Sequence, residues 1–596
     1  MASRPGSNTR IAVAAIDFGT TCTGYAYHLK RDVKNENYIR SIRTDQAWVG
    51  SAETGLQAPT TVLMDRNKEF HSFGFEAETK YKTLAATNEH KGWYYFRYFK
   101  MKLHHESELK RDMMMEDSEG KPFLAINVFT AAIRYIKSHL MEKLGNALDS
   151  RIFATEITWV LTVPAIWRES AKQFMREAAH AAGISNNNLM LALEPESAAI
   201  FCKEQAIHKA DGADGPFLSA FNPGQRYLVA DLGGGTLDTT VHEVLPDGLL
   251  KELHAATGGA WGGQMVNAAF ENLLKDIVDP EVFQVFCSER TGGWISLQKC
   301  FESKKREFTT HTEISDIDIP RGLADIYKEI KKTELRGKRF KRNIQILNDD
   351  ILRLPSQVMK SLFATATDKI IDHIEQLFKN KNLRGVTSIL LVGGFSESVI
   401  VSKSIREHFN RLNVIAPASA SSAILQGAVM YGINDRIIAS RISPYTYGLH
   451  TRRPFDKHKH PKERMIQLKD RQVVDNAFSK QIEKGETVYV GEDKPGTSFS
   501  VINRKTPSVF WKVYQTEDYD PIFCDDPGCS CIGTLSIQIP EDIMAKTIGL
   551  RVYMTCQGTE LQATATIKDY GITTVGKFSF LDKDYQYSGD VIEDGD

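Results

Sequence analysis

RYLVADLGGGTLDTTVHEV, residues Arg226 to Val244, reads as two strands joined by almost bare backbone. Tyr227 to Ala230 is an apolar run of strand length. Asp231 ends it, Gly233, Gly234 and Gly235 follow with Thr236, and Asp238 leads into the β-branched return Thr239-Thr240-Val241. Three successive glycines carry no Cβ, so main-chain N–H groups at such a tip can close around an anion. A carboxylate beside the tip suits Mg²⁺, which prefers oxygen ligands and keeps its waters. A plain glycine-rich bend is the other reading, and a second copy argues against it. AVAAIDFGTTCTGYAY repeats the design with Asp17, Gly19, Thr20, Thr21, Cys22 and Gly24, and Asp231 lies 214 residues after Asp17 (231 − 17). Two such hairpins predict two related lobes that clamp one nucleotide between their tips.

The chain has 596 residues, enough for two to four domains. It is 42% apolar and 25% charged, with a net charge of −1. That balance gives no electrostatic footprint for nucleic acid or for an anionic membrane. The start, Met1 to Thr9, is expected to be a disordered leader, and the apolar run Ile11 to Ile16 is too short for a signal core. No window is long and apolar enough to span a bilayer. Eight thinly spread cysteines suit a reducing, cytoplasmic location. The basic run GKRFKR, 337–342, leaves nuclear entry open, with a solvated helix and loop as the plainer reading.

Along the chain, Phe75 to Leu84 is expected to be a helix, and Asn127 to Leu144 another, stopped by Gly145. KGWYYFRYFKMKLHH, 91–105, mixes aromatic and basic residues. One isolated cluster on a neutral chain reads as buried aromatics rather than as a single-strand platform. Ile157 to Val163 and Leu189 to Leu193 are strands, with a helix from Ser170 to Ala182 between them. Glu194 stands where the second strand hands over to a helix, a place where ligand-facing carboxylates occur in open α/β sheets. Glu302, Lys305 and Arg306 share a helix face, which by itself reads as a solvated charged surface. Asp349 to Phe378 is expected to be helical, and Ser388 to Val392 is a strand ending in Gly393-Gly394. From about Ile437 alternating β-branched runs take over, which predicts an all-β module. Cys524, Cys529 and Cys531 could hold Zn²⁺, although their spacing is not a paired C-x-x-C.

The paired hairpins resemble the two phosphate motifs of the actin, sugar-kinase and 70-kDa heat-shock ATPase superfamily. The segment with Val163-Pro164-Ala165, Ala182-Gly183-Ile184 and Glu194-Pro195 is similar to the 70-kDa heat-shock proteins in particular, but Glu196-Ser197 stands where that family usually has a single Thr. The resemblance implies an α/β, two-lobed, actin-like (duplicated ribonuclease H-like) ATPase domain followed by an all-β domain. The expected boundaries are 10–436 for the ATPase, with lobe I about 10–225, lobe II about 226–412 and a closing helix at 419–434. A β-rich client- or partner-binding domain with an acidic tail occupies 437–596.

It also implies ATP or ADP with Mg²⁺ as ligands. Gly19 to Cys22 and Gly233 to Thr236 would hold phosphates, and Asp17, Asp231 and Glu194 would hold the metal's waters. Thr236, Asp238, Glu194 and either Lys100 or Lys102 would act in hydrolysis. Gly262 and Gly263 match the family's Gly-Gly turn; Glu302, Lys305 and Arg306 match its ribose and adenine residues; Gly393, Gly394 and Phe395 match its adenosine motif. Glu397 occupies the position where the family usually stacks an Arg on adenine.

KHPKERMIQLKDRQ, 459–472, and the entry into the β region at ISPYTYGL, 442–449, without an acidic-apolar linker, look like the divergent 12A/12B branch of the family. A slow ATPase chaperone follows as the expected function, with an unfolded or specific client protein and a co-chaperone or exchange factor as partners. A nucleotide-binding scaffold with little hydrolysis, or a small-molecule kinase on the same fold, are the alternatives.

Overall fold

The computed structural model describes residues 10–30, 41–44, 48, 55–106, 108–209, 219–338, 340–417, 420–469, 471–491, 496–502, 507–543, 547–556, 558–581 and 591–594. The expected leader, Met1 to Thr9, lies outside the described residues, as do Asp590, Gly595 and Asp596 of the acidic end.

Two sheets share one wiring. In the first, strand Ala12–Phe18 pairs antiparallel with Cys22–Leu29 and parallel with Ile157–Val163, which pairs parallel with Leu189–Leu193. In the second, Arg226–Leu232 pairs antiparallel with Leu237–Val244 and parallel with Val386–Val392, which pairs parallel with Asn413–Ile415. Hairpin first, crossover strands second, on both occasions: this is the duplication that the twin hairpins predict. The inner strands are buried along almost their whole length, their mostly apolar sequence interrupted by Asp17, Thr162 and Asp231 near the site, because helices cover both faces. Between the sheets, helix Ala420–Ile433 packs its small residues against helix Glu194–Lys209 and strand Ala12–Phe18. The approach is close: a Cβ at Gly427 would fall 1.7 Å from the Ser197 carbonyl oxygen.

Local chemistry corrects several expected boundaries. The helix that Gly145 was expected to stop runs from Ala125 to Leu148 and ends on Asp149 in the left-handed region at φ 48°. A single internal glycine costs about 1 kcal/mol, too little to break a helix packed along one side. Of the span 349–378, Ile351–Pro355 is a strand, and the helix starts at Ser356, because Pro355 fixes its own φ and cannot donate. In the aromatic-basic stretch, Tyr94–Arg97 is a strand that buries Tyr95 and Phe96, and Phe99 packs on Phe18 and Phe129.

The β-rich region is a folded-over sheet whose core is Trp511, Phe499, Val513, Leu535, Leu550 and Val552. Its longest strand, Gln472–Ile482, and its partner Thr446–Pro454 are not picked out by alternation. This module is fastened to both lobes. Ile438–Ile442 adds to the lobe II sheet beside Leu250–Gly259, and Thr487–Tyr489 pairs onto it. On lobe I, Glu560 pairs with Arg176, the Thr559 hydroxyl donates to the Leu191 carbonyl (3.0 Å), and Leu581 enters the core. Cys524, Cys529 and Cys531 direct their thiols at backbone carbonyls of Ala477, Phe523 and Gly533. Among the described residues no three His, Cys, Asp or Glu side chains are placed to hold a metal directly, so the zinc expectation is not met there. No described helix is long and apolar enough to cross a membrane.

Candidate functional site

The two glycine tips meet. A Cβ at Gly234 would lie 2.0 Å from the Thr21 hydroxyl oxygen, and one at Gly235 would lie 2.8 Å from that of Thr20. Only bare backbone permits this approach. The second tip is gripped from behind: Gly233 N–H donates to the Thr236 carbonyl (2.9 Å), and the N–H groups of Gly262, Gly263 and Gln264 donate to the carbonyls of Gly235, Gly233 and Gly234 (3.1, 3.2 and 2.8 Å). All three glycine carbonyls are therefore engaged on one side. Among the described residues no backbone acceptor takes the Gly234 or Gly235 N–H. This is the arrangement that suits an anion.

Four carboxylates gather beside the tips. Asp17 accepts from the Thr162 hydroxyl (2.8 Å) and the Gln57 amide (3.0 Å). Burial, with Glu194 close by, pushes its carboxyl up to about 6 although Lys100 opposes this. Burial raises Asp231 well above the ordinary range, and Glu194, Asp238 and Asp17 add to it. Burial also raises Glu194, against the pull of Lys100, whose Nζ lies 2.6 Å from Glu194 Oε1 and 5.3 Å from the Trp167 ring centroid. One lysine against four acids leaves the cluster short of positive charge. One oxygen of the buried Asp231 carboxylate and the Thr21 hydroxyl have no hydrogen-bond partner. These residues fit Mg²⁺. Because no three of them converge for direct ligation, the ion would be held through its waters.

A cavity of about 560 Å³ runs from the tips between the lobes. Asp17, Gly19, Thr20, Thr21, Cys22, Lys100, Glu194, Asp231 and Gly233 to Thr236 line one end; Gly263, Glu302, Lys305, Arg306, Gly393, Gly394 and Phe395 also line it. Glu302 binds Lys305 (2.6 Å) and Arg306 (3.0 Å), and Lys305 donates to the Asn267 amide oxygen (3.0 Å).

Three sequence-based candidates do not reach the cavity. Lys102 sits on the short helix Met101–His105, points outward and pairs with Glu106 at 3.6 Å, so of the two lysines only Lys100 faces the acids. Asp238 is fully buried behind the tip, opposite Asp231 in register, and accepts from Ile166 N–H at 3.0 Å, which ties the hairpin to lobe I. Gly262 braces the glycine tip from outside; a Cβ there would lie 2.6 Å from the Gly233 carbonyl oxygen. Conversely, Gln57, Thr162, Gln264, Phe363 and Ser421 line or orient the site without having been singled out. Thr162 carried a signal, as the polar position near the end of an apolar strand; Gln57 lies between Leu56 and Ala58 in a short stretch without regular pattern and carried none.

Duplicated sheets, a closing helix and facing glycine tips define a two-lobed, actin-like nucleotide-binding fold. The family profile described as Hsp70 protein matches residues 97–498. The chain is 31% identical to human heat shock 70 kDa protein 12A, covering 93% of this chain and 89% of that protein, and 31% identical to human heat shock 70 kDa protein 12B, covering 93% and 88%. It is also 26% identical to chaperone protein DnaK of Thermoplasma volcanium, over 53% of this chain and 47% of that one. The chain belongs to the Hsp70 family, and its likeness extends along the atypical 12A and 12B proteins rather than stopping at the ATPase lobes.

Proposed function

We propose that this protein binds ATP with Mg²⁺ between its lobes, hydrolyses it slowly, and passes the resulting lobe movement to the β module in the manner of a chaperone. The observation that carries the reading is the contact between the two glycine tips beside a cluster of four acids and one lysine. Mg²⁺ would neutralise phosphate charge there. The backbone at Gly19 to Cys22 and at Gly233 to Thr236 positions the phosphates, with the Thr20, Thr21 and Thr236 hydroxyls as further donors. Lys100 adds positive charge near the terminal phosphate, and Asp17, Glu194 and Asp231 orient water. Phosphoryl transfer asks mainly for such positioning and charge neutralisation.

The β module, docked on both lobes, is the part that would carry an unfolded or specific client, and the exposed faces of the lobes would serve a co-chaperone or exchange factor. Eight free thiols support a reducing, cytoplasmic setting, with nuclear entry through the basic run at 337–342 as an extension. Calorimetric titration with ATP and ADP in Mg²⁺, followed by single-turnover hydrolysis with and without unfolded client, tests this. Binding and turnover that client alters support it. Binding without turnover would leave a nucleotide-gated scaffold, and no binding would end the reading. Asp231→Asn is expected to lower turnover about 100-fold or more, on the scale of losing one preorganised charge contact; normal turnover in that variant would remove the site assignment.

A further inference from the structure

One side chain at the meeting of the two glycine tips has no part in the charge or hydroxyl chemistry described above. Met101 opens the short helix Met101–His105, directly after Lys100, and is half-buried. Its sulfur rests on the lobe II tip. A Cβ at Gly235 would lie 2.2 Å from Met101 Sδ, nearer than the 2.8 Å to the Thr20 hydroxyl oxygen. The thioether thus reaches from lobe I to the backbone of lobe II, at the residue whose N–H has no backbone acceptor among the described residues. A thioether is only a weak acceptor and leaves that donor to a stronger ligand.

Of the atoms in this contact, the sulfur is the one that a mild oxidant changes. With hydrogen peroxide, a sulfur lone pair attacks one peroxide oxygen, the O–O bond breaks and an S–O bond forms. The second oxygen leaves as water, carrying both protons; sulfur is oxidised by two electrons and the peroxide is reduced. The sulfoxide is polar and its oxygen is a strong acceptor. We propose, resting on the nucleotide-binding reading above, that Met101 is a reversible oxidation site that switches nucleotide binding off. Its sulfoxide oxygen takes the Gly235 N–H that a phosphate would use. It also adds an atom where only bare backbone let the sulfur approach, so the two tips are pushed apart. Methionine sulfoxide reductases remove the oxygen and restore the contact.

The test treats the full chain with hydrogen peroxide, then with dithiothreitol to reverse thiol oxidation, and follows two quantities. Peptide mass spectrometry reads which methionines gain one oxygen, and calorimetric titration in Mg²⁺ reads ADP affinity. The treated protein is expected to carry the oxygen on Met101 and to bind ADP at least about tenfold more weakly, the scale of losing one hydrogen bond to a charged group. Reductases for both sulfoxide epimers are expected to restore the affinity. Met101→Leu keeps the volume without the oxidisable atom, so it is expected to bind ADP within about threefold of the parent and to keep that affinity after peroxide. Three results each overturn the inference while the nucleotide reading stands. Met101 could stay unmodified at a dose that oxidises Met114, which is 50% exposed; Met101 could be oxidised with ADP affinity unchanged; or Met101→Leu could lose as much affinity to peroxide as the parent. An untreated protein that binds no ADP overturns the nucleotide reading and this inference with it.

Discussion

Glu252 sits on the lobe II strand beside Ile438–Ile442, buried, with Oε2 accepting from Ile442 N–H at 2.7 Å. Burial and the nearby Glu196 push its carboxyl up to about 8, against Arg441 and Lys172. Between its ordinary value near 4.5 and about 8, the folded protein holds a proton that the unfolded chain has released. This contribution to stability is therefore complete at low pH and is lost as pH rises through 8. Glu252→Gln keeps the acceptor for Ile442 and cannot ionise. It is expected to melt with the parent at pH 5 and to be more stable at pH 9, by about 1–3 kcal/mol, because one buried charge is removed. Thermal melts at the two pH values check this; equal shifts at both would show that Glu252 is not the titrating group. The same scale explains why Gln57 is not singled out from sequence and why the place of Asp238, behind the tip, is not legible there. A residue type states what chemistry is available, but which atom faces a cavity depends on strand register and on chain segments distant in sequence.

The glycine hairpins were legible as elements because their signal is local: an apolar strand, an acid, bare backbone and a β-branched return. Their meeting was legible only as an inference from repetition, since the approach of Gly234 to Thr21 joins positions 213 residues apart (234 − 21). Strand Ile351–Pro355 was read as the start of a helix because the following apolar spacing dominates the window, and Thr446–Pro454 was missed because a strand covered on both sides need not alternate. The brace behind the second tip was invisible as a brace, although its glycines were seen. It now supports an expectation at this level. Gly262→Ala places a methyl group 2.6 Å from the Gly233 carbonyl oxygen, against backbone that cannot swing aside. The tip must shift, so nucleotide affinity is expected to fall about tenfold or more while the fold persists, as for other small displacements of positioning groups. Circular dichroism together with nucleotide titration separates these outcomes; unchanged affinity would mean that the tip is not the phosphate cradle.

On the scale of the whole molecule, the feature that sequence reading placed least well is the junction between the ATPase lobes and the β module. A boundary near 436 suggests a simple link, but Ile438–Ile442 is a strand of lobe II, and its Arg441 reaches Glu196 at the start of the lobe I helix that begins with Glu194. Both Arg441–Glu196 contacts are 2.8 Å, and both side chains are almost wholly buried. Three parts of the chain thus share one bidentate ion pair. A buried pair adds little net stability over apolar groups of similar size, yet removing one partner leaves an uncompensated buried charge that costs about 3–5 kcal/mol. Arg441→Met is therefore expected to be strongly destabilised, since it strands Glu196 close to Glu252. Glu196→Met alone should also suffer, through the stranded guanidinium. The double variant, with no charge left in either position, should recover much of the loss. Urea unfolding of the four proteins gives the coupling directly. Limited proteolysis reports where the damage falls: in Arg441→Met the segment around 438–442 is expected to open before either lobe does, releasing the β module from a still-folded ATPase. Losses that simply add in the double variant would show that the two residues do not act as a pair, and cleavage that starts within the lobes would show that the junction is not the first part to part.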